Sequence, residues 1–232
     1  MIVVDAGHGG HADSGSRALD QYNLSEWDHA KVPQLGLVEG SLTLDLAREI
    51  TAAIQRSEPA KTGRVKVVMT RTEDTNPNFT ERVATAASAG ANVIVSVHFN
   101  AGDSATGPVV VYQKKQNNPV YLADRTLATA LLNSVSAATN RFVPTSKGVA
   151  FDDSDEHFTN KKKPYGSYLF YQARRNPKTR NVPVVYLEVE YLQSSKLDRV
   201  KKLFVDQKRE VFAAWADAIA RVLTDPKTTT LN

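Results

Sequence analysis

Short apolar runs alternate along this chain with stretches in which leucine and alanine recur at helical spacing, and that alternation limits the folds open to it. Ile2–Val4 is wholly apolar and stops at Asp5-Ala6-Gly7, the pattern of a buried strand ending at a loop. Further strands are predicted at Val65–Thr70, Ala91–Phe99, Gly107–Gln113, Ser167–Gln172 and Pro183–Leu192. The run ANVIVSVHF is apolar almost throughout, which makes it a central strand. Between the strands, Leu42, Leu46, Ile50, Ala53 and Ile54 predict an amphipathic helix over 41–56. Other helices are expected over 80–89, opened by Asn76-Pro77 and closed by Gly90, over 120–139, and over 197–223. The implied fold is α/β: one domain, with a largely parallel twisted sheet of about six strands and helices on both faces. Residues 1–225 fit that domain, 226–232 read as a disordered tail, and the polar tracts 11–38 and 152–164 read as loops.

Composition narrows the chemistry. The chain has no cysteine, which removes disulfides and thiolate ligands and leaves His, Asp and Glu to hold any metal. A net charge of +4 suits an anionic partner such as a cell wall, but the lysines are dispersed and no aromatic-basic platform for nucleic acid is present. No stretch approaches the length of a membrane span, and the first residues carry no export signal. The glycine-rich GHGG lacks both phosphate-binding fingerprints, and no helix follows it directly.

Of five histidines, His8 (DAGHGG) and His98 (VSVHFNA) stand at the ends of apolar runs, so both fall at the carboxyl edge of the expected sheet. Ligand-binding crevices of open α/β sheets lie along that edge. Glu39, where a loop meets its helix, lies at the same edge, where it also suits the positive end of the helix dipole. Together these residues make a two-histidine, one-carboxylate set, the kind that holds zinc in hydrolytic sites. In VPVVYLEVEYL, period-two alternation puts Tyr186, Glu188 and Glu190 on one face, with the two carboxylates as neighbours. A carboxylate is costly in so apolar a strand unless it is paired or functional, which marks Glu188 as a candidate general base and acid. Glu190, Asn100 and His11 are candidate substrate contacts. Arg82 is expected to anchor a helix or a neighbouring carboxylate.

The ordered blocks VVDAGHGG, E-G-SLTLDLA, VVMTRTED, Glu81-Arg82, VSVHFNA and PVVYLEVEYL resemble the zinc-dependent N-acetylmuramoyl-L-alanine amidases of the Amidase_3 type, over about residues 2–223. The resemblance implies zinc ligands at His8, Glu39 and His98, a catalytic glutamate at Glu188, and hydrolysis of the bond between N-acetylmuramic acid and L-alanine in peptidoglycan. It also implies action in the cell wall or periplasm, as a monomer, by an endolysin or an excised remodelling domain. A different zinc peptidase, or a wall-binding module without activity, remain the rival readings. The chain departs from the family pattern at Glu190 and Tyr191, where glycine and phenylalanine are usual.

Overall fold

The computed structural model describes residues 1–9, 30–101, 106–152 and 165–229. In chain order these form β1 (Ile2–Ala6), β2 (Lys31–Val32), β3 (Leu37–Val38), α1 (Glu39–Arg56), the single turn α2 (Glu58–Lys61), β4 (Val67–Met69), α3 (Phe79–Ala89), β5 (Val93–Asn100) and β6 (Val109–Tyr112). They continue with α4 (Tyr121–Thr139), β7 (Val149–Asp152), α5 (Tyr165–Arg175), β8 (Val184–Tyr191), α6 (Leu197–Lys201), α7 (Lys208–Thr224) and the turn α8 (Pro226–Thr229). Six strands make one sheet in the order β4-β1-β5-β8-β6-β7, and β6–β8 is its antiparallel pair. The single α/β domain expected from the alternation is therefore present.

Strand periodicity assigns the two faces. Val93, Val95, Val97 and Phe99 of β5 join the core beneath α1, α4 and α7, where Phe99 meets Phe204 at 5.1 Å and Trp215 at 6.0 Å between ring centroids. Ile94 belongs to the opposite core with Phe79 and Val83 of α3 and Leu169 and Phe170 of α5. The residues of β5 that carry chemistry, Ser96 and His98, alternate with the first set and so share the face of Ile94.

Local signals explain most boundaries. Helix α1 buries Leu42, Leu46, Ile50 and Ile54 as their spacing dictates. Helix α3 opens with a reciprocal capping box: Glu81 N–H donates to Asn78 Oδ1 at 2.9 Å and Asn78 N–H to Glu81 Oε2 at 2.7 Å. Gly90, at φ 68°, closes it in the left-handed conformation.

Four expectations need correction. The run at 167–172 is not a strand but part of α5; Leu169, Phe170 and Ala173 are its buried residues, an i, i+1, i+4 spacing that belongs to a helix. A short aromatic run does not separate the two periods, and Ala173 lies just beyond it. The sixth strand is instead β7, parallel to β6. The C-terminal helix is interrupted at Lys202–Asp206 by a turn of π-helix, which buries Leu203 and Phe204 in the aromatic core. Finally, the last part of the first loop is ordered: β2 and β3 pair antiparallel and deliver the chain to Glu39. At the C-terminus, Pro226–Thr229 take a helical turn, and 230–232 lie outside the described residues.

Candidate metal centre

The centre is built where β1, β5 and α1 meet. After Ala6 the chain leaves the sheet, and His8 adopts φ 53°, a left-handed backbone uncommon for a residue with a side chain. Two buried arginines hold that turn. Arg71 donates from Nε to the carbonyl of Ala6 (2.8 Å) and from Nη2 to those of Gly7 (2.9 Å) and Gly40 (2.7 Å). Arg82 donates to the carbonyls of Ala6 (2.7 Å) and His8 (3.0 Å) and pairs with Asp5 Oδ1 (2.7 Å). The anchoring role expected of Arg82 thus falls on Asp5 and the His8 turn, while Arg71, from the TRTED block, is an anchor that the sequence reading passed over. Gly7 is obligatory, because a Cβ there would overlap the His98 ring.

His8, Glu39 and His98 converge. Glu39 Oε1 lies 3.1 Å from His8 Nε2 and 3.2 Å from His98 Nδ1, and all three residues are buried. The amides of Phe99 (to Oε1, 3.0 Å) and Ala30 (to Oε2, 2.8 Å) fix the carboxylate from β5 and from the residue before β2. Burial pushes the Glu39 carboxyl up, but the charge of His8 and hydrogen bonds with His8 and His98 outweigh it and hold it well below the ordinary carboxylate range. Glu39 is therefore an anion at neutral pH.

The layer beneath sets the tautomer of His98. In register, Asp5 of β1 pairs with Ser96 of β5, and Ser96 with Tyr186 of β8. Ser96 Oγ donates to Asp5 Oδ2 at 2.6 Å and lies 3.0 Å from His98 Nε2. With its own proton directed at Asp5, the serine oxygen accepts from Nε2–H, which leaves Nδ1 with a lone pair facing Glu39. Burial pushes the Asp5 carboxyl up, yet Arg82, Ser96 and Thr70 together keep it below its ordinary value, so the relay ends on an anion. This carboxylate–serine–histidine chain is the outer support that orients a metal-binding imidazole. Two nitrogens and a carboxylate oxygen crowd together without a proton donor among their own acceptor atoms, an arrangement that fits a divalent cation such as zinc.

Glu188 stands beside His98 in the β5–β8 register, half-buried, on the same face of the sheet. Glu190 does not share that face. Between His98 and Asn100 the pairing shifts, so that Asn100 aligns with Tyr191 and β8 carries one extra residue. The bulge turns Glu190 away, fully buried, where Oε2 accepts from Arg199 Nη2 at 2.6 Å and Oε1 accepts from the amides of Gly107 and Tyr191, both at 2.9 Å. The expected proximity of the two carboxylates on one face is thus corrected by the bulge. Tyr191 takes the vacated place: burial pushes its phenol up, as do the charges of Glu188 and Glu190, against a hydrogen bond from Asn100. Asn100 is half-buried at the end of β5 and reaches Tyr191 and the Leu192 amide (2.8 Å to its carbonyl). His11, Asp13 and His157 lie outside the described residues.

Asp5, Ser96 and Tyr186 were not singled out as parts of the centre. Their signal was available: each is a polar side chain two or three positions before a candidate residue, in an otherwise apolar strand. Tyr186 stacks on the His98 ring, with centroids 3.8 Å apart and planes 15° from parallel, and its hydroxyl lies 2.8 Å from Nδ1.

The fold and the cluster define an α/β domain with a two-histidine, one-carboxylate metal centre at the carboxyl edge of its sheet. The chain belongs to the N-acetylmuramoyl-L-alanine amidase family Amidase_3, whose model matches residues 2–221. It is 31% identical over 149 residues to the N-acetylmuramoyl-L-alanine amidase AmiC of Escherichia coli O6:H1, a match covering 62% of this chain and 31% of that protein. The match therefore spans less than a third of AmiC. Among solved structures, the catalytic domain of CwlV from Bacillus (Paenibacillus) polymyxa var. colistinus superposes with a TM-score of 0.64 at 23% identity, over 98% of both chains. An N-acetylmuramoyl-L-alanine amidase from Clostridium difficile 630 gives a TM-score of 0.66 at 19% identity, over 99% of this chain and 97% of that one. At these identities the likeness is one of fold.

Proposed function

We propose that this domain is a zinc-dependent amidase that cleaves the bond between the lactyl group of N-acetylmuramic acid and L-alanine in peptidoglycan. The observation that carries the reading is the buried convergence of His8, Glu39 and His98, with Glu188 in register beside His98. Zinc held by His8 Nε2, Glu39 Oε1 and His98 Nδ1 would supply Lewis acidity for the amide carbonyl and for water. The protein's own groups do the rest. Glu188, half-buried at the sheet edge, takes a proton from the attacking water and delivers it to the nitrogen of the departing L-alanine. Asp5 and Ser96 keep His98 in the ligating tautomer, and Arg71 and Arg82 keep the His8 turn in place.

Every group invoked comes from one chain, so a monomer suffices. The net charge of +4 suits an anionic wall polymer, and among the described residues no helix is long and apolar enough to cross a membrane. The test is digestion of purified sacculi. Stem peptides carrying a new L-alanine amino terminus are expected, lost with a chelator and restored by zinc. Cleavage of peptides but not of muropeptides would make the domain a peptidase, and no release from any wall type would overturn the proposal.

A further inference from the structure

The Tyr186 hydroxyl stands among the metal-binding atoms with no role in the chemistry above. It lies 2.8 Å from His98 Nδ1, the same nitrogen that faces Glu39 Oε1 at 3.2 Å. The residue is 6% exposed and its ring lies flat against the imidazole, so the phenol is aimed from within the protein. Nδ1 has one in-plane lone pair, because Nε2 carries the proton that Ser96 accepts. One lone pair serves one partner. A phenolic O–H bound to Nδ1 and a cation bound to Nδ1 therefore exclude each other.

We propose that Tyr186 is a hydrogen-bond donor of the reaction centre that rests on His98 Nδ1 in the metal-free protein and turns to the scissile carbonyl oxygen in the loaded one. A buried hydroxyl displaced from its acceptor requires another, since leaving it unmade is costly. The acceptor that appears at this spot during turnover is the amide oxygen as it gains negative charge, and a donor already fixed by packing against His98 stabilises that charge without reorganisation. The register supports this placement: Tyr186 lies one layer below Glu188 on the same face of β8, so its hydroxyl rises beside His98 at the level where Glu188 works. The bond to the carbonyl is made most strongly in the transition state, and its loss belongs in kcat.

The inference rests on the amidase reading for its second half, while its first half concerns metal binding alone, and the two are tested separately. Tyr186→Phe keeps the ring and its stack on His98, so a purely structural role predicts no change in either measurement. In competition with a chromogenic chelator, zinc is expected to bind Tyr186→Phe about threefold to tenfold more tightly, the fold-change worth one neutral hydrogen bond. At saturating zinc, kcat for muropeptide release is expected to fall on the order of 10²-fold, with KM little changed. Unchanged or weaker zinc binding would overturn the resting position, and an unchanged kcat would overturn the donor role. A shifted acid limb of the pH–rate profile with an unchanged plateau would place the hydroxyl on Glu188 and overturn it as well. Should Tyr186→Phe fail to fold, imidazole nitrogen NMR shifts of the unsubstituted metal-free protein decide the first half. A protonated Nε2 with Nδ1 accepting supports the resting position, and a proton on Nδ1 overturns it. If the wild-type chain released nothing from sacculi, the zinc-binding comparison would still stand as a test of Tyr186.

Discussion

Glu188 and Glu190 lie two residues apart on β8, and everything around them differs. Glu188 is half-buried at the sheet edge, level with the metal-binding His98. Glu190 is fully buried, and its two oxygens are engaged by the Arg199 guanidinium and the amides of Gly107 and Tyr191. A single extra residue in the strand separates them. It sends Val189 into the core beneath α1, α4 and α7 and turns Glu190 toward α6, which lies against that same core through Val200. The same side chain is thus a candidate reagent in one position and a strut in the next. Arg199 extends the strut, since its Nη1 donates to the Pro144 carbonyl at 2.6 Å, tying the end of β8 to the segment after α4.

The largest effect expected from this contrast is on activity at Glu188. Glu188→Gln removes the proton carrier while keeping size and shape, and hydrolysis should fall by roughly 10²–10⁴-fold. Zinc content and melting temperature should stay at their wild-type values. Retained activity would dissolve the distinction between the two glutamates.

Glu190→Gln should do the reverse. It leaves the Arg199 guanidinium, 15% exposed, without its counter-charge, and breaking such a buried pair costs about 3 kcal/mol or more. The urea midpoint should move down accordingly, while the rate per folded molecule stays near wild type. A variant of normal stability and poor activity would instead return Glu190 to the reaction.

A smaller effect reads both charges at once through Tyr191. Burial, then Glu188, then Glu190 raise its phenol above the ordinary value of 10.0. A raised phenol keeps its proton in the fold, so its contribution to stability is present below pH 10 and is lost as pH rises through the folded value. Tyrosinate absorbance, taken as a difference against Tyr191→Phe in each background, should show ionisation at lower pH in Glu188→Gln. In Glu190→Gln, with the smaller of the two charges removed, the shift should be smaller. Equal shifts would mean that the bulge does not separate the carboxylates as described.

Sequence alone determined the class of fold and the gathering of the metal-binding set. Apolar strands alternating with amphipathic helices lead to a parallel sheet, and such a sheet brings strand ends and helix starts to one edge. That topological rule is why His8, Glu39 and His98, far apart in the chain, could be grouped before any coordinates. Tertiary structure alone decided what lies within one residue of error. Alternation of period two has no memory of an inserted residue, so the turn of Glu190 away from Glu188 emerged only from the pairing of β8 with β5. The same holds for α5, where a short apolar run fits both periods until its packing against α3 chooses the helix. It holds too for Asp5, Ser96 and Tyr186, whose roles depend on three strands standing in register, a relation that no single stretch of sequence contains.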